Sequence, residues 1–405
     1  MFSALRHRNL RLYLGGQFVS LIGTWMQQLA MSWLVYRMTH SPYLLGLVTF
    51  VGQVPSFIFG LFAGVLVDRV NLHKLLIGTQ ALSSIQAWVL AGLTLSGKIT
   101  LPEILILSAF LGIINAIDTP TRQSFVIQMI GDDKKDLPNA IALNSSVMNA
   151  TRLFGPALAG IIITMVGEGV CFLLNALSYI AVLIALTQMR VKPRLISKTT
   201  ESFRESFVEG MRFAFGVHPI GILLILLTAL SLVGSPFVTL MPVMADQVFK
   251  GGAHTLGFLT TSTAIGALFA SVWLASRKSA AGFQSKIGIC SIVFAIALIT
   301  LSFSSKIAIA IPVLLICGFG MLFQMAASNI MIQTLVEDDK RGRVMSLFTF
   351  SLMGVAPFGS LLVGTIAEHA GVFSTLLFCG GTYLLVVLWV NRRLQSEILL
   401  DSSPS

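Results

Sequence analysis

Three charged side chains interrupt long apolar stretches of this chain: Asp118, Arg122 and Arg152. A charge near the centre of a bilayer costs about 2.5–3.5 kcal/mol on insertion scales, so such a residue normally faces a partner or a water-filled cavity. Two chemistries fit. In the first, Asp118 pairs with Arg122 four residues on, or with Arg152 across two helices, and holds a helix bundle together. In the second, Asp118 exchanges a proton, and Arg152 sets its affinity or binds an anionic group of a substrate. Uncharged polar side chains are spaced along the same kind of segment: Gln17, Thr24, Gln27 and Gln28 in the first, Asn115 beside Asp118, Asn144 and Met148 ahead of Arg152, then Ser235 and Gln324 in the second half. Polar stripes in lipid-spanning helices face a cavity or a neighbouring helix. These residues are the candidate lining of a substrate cavity, and hydrogen bonds between helices explain a share of them equally well.

The elements that must carry these residues follow from composition. The 405 residues are 55% hydrophobic and 11% charged, against roughly 25% charged in an average soluble domain. Twenty-eight Phe and five Trp add apolar surface that a soluble core of this size cannot hide. Crossing a bilayer core of about 30 Å takes about 20 apolar residues. Twelve segments qualify, near 12–36, 43–67, 73–96, 102–130, 138–166, 170–189, 220–246, 254–276, 285–304, 307–335, 343–367 and 372–391. They are too long for barrel strands and do not alternate. The fold class expected is an all-α polytopic membrane protein. The first segment follows Arg6, Arg8 and Arg11 like a signal peptide, but it is too long for a cleaved one and is read as a retained helix.

The net charge of +10 invites a nucleic-acid reading until the cations are sorted. With the N-terminus inside, inner loops and termini hold 21 Lys and Arg, outer loops hold four, and Arg122 and Arg152 lie within helices. That bias, with an even number of helices, places both termini in the cytoplasm. The expected domains are a six-helix bundle at 1–189, a linker at 190–219, a second bundle at 220–395 and a tail at 396–405. Within the linker, Glu201 to Phe215 reads as an amphipathic helix lying on the membrane surface.

No enzyme signature survives. Gly92 to Lys98 fits G-x-x-x-x-G-K, but Ile99 stands where a phosphate loop needs Ser or Thr, and no strand precedes it. The six histidines fall in loops or at helix ends. The four cysteines sit singly in apolar segments, as small core residues do. No cofactor, metal or nucleic acid is expected, and without an ATP site any work must come from an ion or solute gradient.

The halves repeat. Ile127-Gln128 ahead of Asp132-Asp133 mirrors Ile332-Gln333 ahead of Glu337-Asp338, and Pro156 pairs with Pro357. Both copies start on the same side, as in carriers built from two parallel six-helix bundles.

Several stretches carry a family resemblance. Gly64, Leu66, Asp68 and Arg69 match the G-x-L-A-D-R loop motif of the major facilitator superfamily, with Asn71 in place of a later glycine and His73-Lys74 left of its basic cluster. Gly155, Pro156 and Gly160 resemble the helix-5 motif of facilitator antiporters, with Ala159 replacing a glycine. Asp118, Pro120 and Arg122, the run Leu137 to Asn144, and Asp338 to Ser346 resemble the subgroup of bacterial enterobactin exporters and macrolide-efflux proteins. Many proton-coupled exporters carry an Arg in R-x-x-x-G on helix 4; Ser108 stands there.

The resemblance implies twelve helices, alternating access and export. It gives Gly64, Asp68, Arg69 and Lys74 the role of a cytoplasmic latch, working against Arg341 and Arg343. It makes Gly155, Pro156 and Pro357 the bends that let helices slide. The expected partners are a small or medium amphipathic substrate, siderophore or drug-like, together with membrane lipids and, for coupling, protons, in a monomer. A lipid or lysophospholipid carrier, or a non-transporting receptor or scaffold, are the alternatives.

Overall fold

Backbone inside lipid has no water to bond, so each spanning segment must close its own hydrogen bonds as a helix. The computed structural model describes residues 3–130, 134–189, 191, 212, 216, 218–277, 282–337 and 340–401, with side chains throughout except at 60–66, 68, 69, 130, 134, 218 and 394–401. The described residues form helices and connecting turns, without a strand. The helix expected over Glu201 to Phe215 lies outside them, Arg212 apart.

The first six helices are α1 (Arg8–Thr39), α2 (Pro42–Arg69), α3 (Leu72–Leu95), α4 (Leu101–Ile130), α5 (Leu137–Val166) and α6 (Glu168–Thr187). Then α7 (His218–Ala229) runs on through a π-turn at Leu230–Gly234, a 3-10 stretch at Ser235–Leu240, one α turn at Met241–Val243 and a second π-turn at Met244–Val248. The rest are α8 (Ala253–Ala275), α9 (Phe283–Ser302), α10 (Ile307–Leu335), α11 (Arg341–Thr349), a third π-turn at Phe350–Gly354, and α12 (Ala356–Asp401).

Ten runs among the described residues are long and apolar enough to span a membrane, against the twelve segments expected. The difference has two sources. The polar side chains of α1 pull it below the others. The last run, Arg341–Arg393, holds 53 residues, room for two crossings of about 20 residues each. It is divided at Gly371, whose φ of 78° and ψ of 166° are not helical. Gly167, between α5 and α6, adopts nearly the same pair, 87° and 171°. Side chains avoid that region, so each half ends its fifth helix on a glycine for the same reason.

The chain divides into two compact units. The first comprises 1–40, 48–199 and 250–261; the second comprises 41–47, 200–249 and 262–405. In the first, Tyr13, Leu76, Phe125, Ala176 and Tyr179 belong to one buried cluster, with Tyr13 and Phe125 in edge contact. In the second, Phe294 meets both Phe237 and Tyr383 edge-on.

The two units use the same packing device. In the first, a methyl group on Gly112 of α4 would strike the carbonyl oxygen of Gly52 on α2. In the second, Gly318 of α10 stands against the Thr263 carbonyl, and Gly266 of α8 against the Leu315 carbonyl. Small residues let membrane helices meet backbone to backbone. Second and fourth helices of each half are joined this way.

Candidate functional site

Asp118 and Arg122 lie one turn apart on α4, so their side chains share a face. They form an ion pair between Asp118 Oδ2 and Arg122 Nε. The other carboxylate oxygen accepts from Thr79 Oγ1 at 2.6 Å and from Gln80 Nε2 at 2.7 Å, both on α3. Arg122 Nη1 donates to Gln17 Oε1 on α1. Asp118, Thr79, Gln80 and Gln17 are all buried. One carboxylate and one guanidinium thus tie three helices of the first unit together. Of the pairings open to Asp118, the structure makes the one with Arg122.

A second buried cluster lies further along α1. Gln27 Nε2 donates to Gln86 on α3 at 3.1 Å, and Gln27 Oε1 accepts from Asn175 Nδ2 on α6 at 2.7 Å. The second unit has a counterpart on matching helices. Gln324 Oε1 on α10 accepts from Ser291 on α9 at 3.0 Å and from the Tyr383 hydroxyl on α12, and Gln324 Nε2 donates to the Leu226 carbonyl on α7 at 3.2 Å. Gln27 and Gln324 therefore join helices within their units. Thr24 bonds back to the Ser20 carbonyl at 3.0 Å, as helical threonines do.

The remaining cavity candidates fall differently. Gln28, Asn115 and Met148 are exposed, and Asn144 and Ser235 are half-buried. On α5, Ser145 and Ser146 are exposed and Asn149 half-buried, so a polar face of this helix stays uncovered within its unit. Arg152 follows on that face, near the midpoint of α5. Its guanidinium carbon stands 5.1 Å from the centroid of the Trp25 ring on α1. Gly155, one turn on, makes the approach possible: a methyl group there would collide with Cβ of Trp25. Gly155 and Pro156 are buried where α5 meets its neighbours. Pro357 is buried too, just after the π-turn at Phe350–Gly354.

Of the latch candidates, Gly64, Asp68 and Arg69 lie in the last turns of α2, with side chains outside the described set. Lys74 and Arg341 are exposed and Arg343 is half-buried. Asn71 acts locally, since its Oδ1 accepts from the Lys74 amide at 3.1 Å and caps α3. His73 stacks on Phe125 and bonds the Leu186 carbonyl at 2.7 Å, which removes it from any basic cluster.

Sequence reasoning passed over Thr79, Gln80, Gln86, Asn175, Ser291 and Tyr383. The signal was present, because each is a polar side chain inside an apolar run. It also passed over Asp136, at the start of α5, whose Oδ2 lies 2.9 Å from Arg6 Nε and 3.2 Å from His7 Nε2. A hydrogen bond from the Ser3 side chain, then His7 and Arg6, hold this carboxyl below the usual range.

The chain matches known proteins along its length. The family described as transmembrane secretion effector matches residues 1–403. The staphyloferrin A transporter of Staphylococcus aureus is 27% identical over 392 residues, 95% of this chain and 97% of the relative. Macrolide efflux protein A of Streptococcus pyogenes is 23% identical over 382 residues, 92% and 93% of the two chains. Among solved structures, a bacterial homologue of the human lysosomal transporter Spinster, in an inward-facing and unoccupied conformation, matches with a TM-score of 0.73 at 16% identity, covering 98% of this chain and 99% of that one. At that identity the likeness speaks for the fold. Buried polar clusters, paired small-residue seams and full-length matches lead to one assignment: the chain is a multi-pass membrane transporter of the major facilitator superfamily and belongs to its transmembrane secretion effector family.

Proposed function

We propose that the protein exports a small or medium amphipathic organic molecule, of siderophore or drug type, by exposing a binding cavity to each side of the membrane in turn. The observation that carries this reading is the uncovered polar face of α5. Ser145 and Ser146 are exposed and Asn144 and Asn149 half-covered within a run apolar enough to span lipid. Ser146 turns its hydroxyl back to the Ala142 carbonyl at 2.9 Å, and the remaining polar groups of this face fit water or a ligand beside them. Relatives named for a siderophore and for macrolides supply the substrate range. The Lys and Arg distribution favours both termini in the cytoplasm, with Asp68 and Arg69 at the inner gate and Arg341 and Arg343 opposite in role. A transport cycle accounts for the uncovered face without any catalytic step.

Asp118 takes the first of its two roles in this reading. Its carboxylate already has three donors, so it acts as a lock inside the first bundle.

The test compares medium, cell contents and lipid extract by untargeted mass spectrometry, in cells with and without the protein, in iron-poor and iron-rich growth. The expected outcome is a metabolite missing from the medium and retained inside when the protein is absent. A change confined to lipids would transfer the assignment to a lipid carrier. No change in any fraction, with unaltered drug sensitivity, would overturn export.

A further inference from the structure

The two arginines that lie mid-helix in the first unit, both half-buried, are treated in opposite ways. Arg122 has a carboxylate partner and an amide partner, Asp118 and Gln17. Arg152 makes no hydrogen bond and no ion pair among the described residues; its one partner is the face of Trp25. A ring face answers the charge of a guanidinium but none of its five N–H donors. A planar fork left with open donors matches a carboxylate, which accepts two parallel bonds.

The surroundings fit a ligand better than a missing protein group. Arg152 is half-buried, and so is Trp25. Met148, one turn before Arg152, is 52% exposed. Asn149 and Ser145 extend the same helix face, and on α1 the exposed Gln28 follows Trp25. An apolar thioether, an aromatic ring and small polar groups thus border an open cation halfway along a membrane-spanning helix. The contact is also fixed in place, since Gly155 lets α5 close on Trp25.

We propose that Arg152 and Trp25 form an anion subsite, and that the exported molecules carry a carboxylate next to a flat or apolar portion. The carboxylate takes the guanidinium fork, and the adjoining portion packs on Trp25 and Met148. This deepens the export reading and rests on it for its place in a transport cycle.

The test uses the full chain purified in an uncharged detergent, with equilibrium dialysis of radiolabelled 1-naphthoate and 1-naphthamide. The two share a ring system and differ in charge. The expected result is naphthoate held about tenfold or more tightly, with R152Q bringing the two ligands level while naphthamide binding stays unchanged, and R152K keeping part of the preference. A second measurement needs no variant: naphthoate, and not naphthamide, slows phenylglyoxal modification of Arg152 read by peptide mass. Equal affinities on the natural chain, an undiminished preference in R152Q, or no protection of Arg152 would overturn the subsite. Dialysis needs no transport, so the two readings fail separately. An anion preference without any exported metabolite would sink export alone, and export restricted to neutral or cationic compounds with level affinities would sink the subsite alone.

Discussion

At the scale of single residues, the Asp118–Arg122 pair and its partners tie α4 to α1 and α3. Removing one member of a buried pair leaves the other charged and unpaired, at a cost of about 3–5 kcal/mol. Asp118→Asn should therefore lower thermal stability in detergent sharply. The double variant D118N/R122Q, with no charge left over, should recover a substantial part, and the four-way thermodynamic cycle gives the coupling. A loss in the double variant equal to the sum of the two single losses would mean that the residues contribute independently, without a pair term. Asp136 supplies a pH dependence of defined sign. Its carboxyl is held low by Ser3, His7 and Arg6, so its contribution is intact above the ordinary carboxylate range, about pH 4. It is lost as acid passes through the lowered folded value. Unfolding midpoints measured from neutral to acid pH should fall less steeply in Asp136→Asn than in the natural chain.

At the scale of elements, glycine seams set how closely helices approach. Gly112 and Gly318 occupy matching places on the fourth and tenth helices, each against a carbonyl of a partner helix. Gly112→Val and Gly318→Val should each destabilise by about 1–3 kcal/mol through overpacking, and to a similar extent because the two seams are built alike. Thermal unfolding of the two variants checks this; a loss in only one would show that the halves do not share the device. Adjacent residues show what a sequence reveals and what it withholds. Gln27 and Gln28 are the same type in the same polar stripe. One is bonded to Gln86 and Asn175 and the other is exposed, because one step along a helix turns a side chain by about 100°. Periodicity exposed the Asp118–Arg122 spacing, since that contact is local. It was silent on Thr79 and Gln80, which reach Asp118 from another helix.

At the scale of the whole molecule, the long apolar runs made the fold class legible, since lipid leaves a chain few options. The parallel repeat was legible from sequence pairs such as Pro156 and Pro357. Its physical content appears in the matched amide clusters of Gln27 and Gln324 and in the two non-helical glycines, Gly167 and Gly371. The crossing count was less legible, because α1 trades hydropathy for the polar groups that bond its neighbours. The halves also differ in one respect. All three π-turns among the described residues, at Leu230–Gly234, Met244–Val248 and Phe350–Gly354, belong to the second unit. A π-turn is a local widening of the helix and a common origin of kinks. A straight helix meets a bilayer of the wrong thickness only by tilting or by deforming the lipid around it. A helix with such joints has a third response, because it can alter its own bend. The first unit carries Pro55, Pro120 and Pro156 inside its helices instead, so the two halves should answer a change of bilayer thickness through different kinds of joint, and lipid composition would act on them unequally.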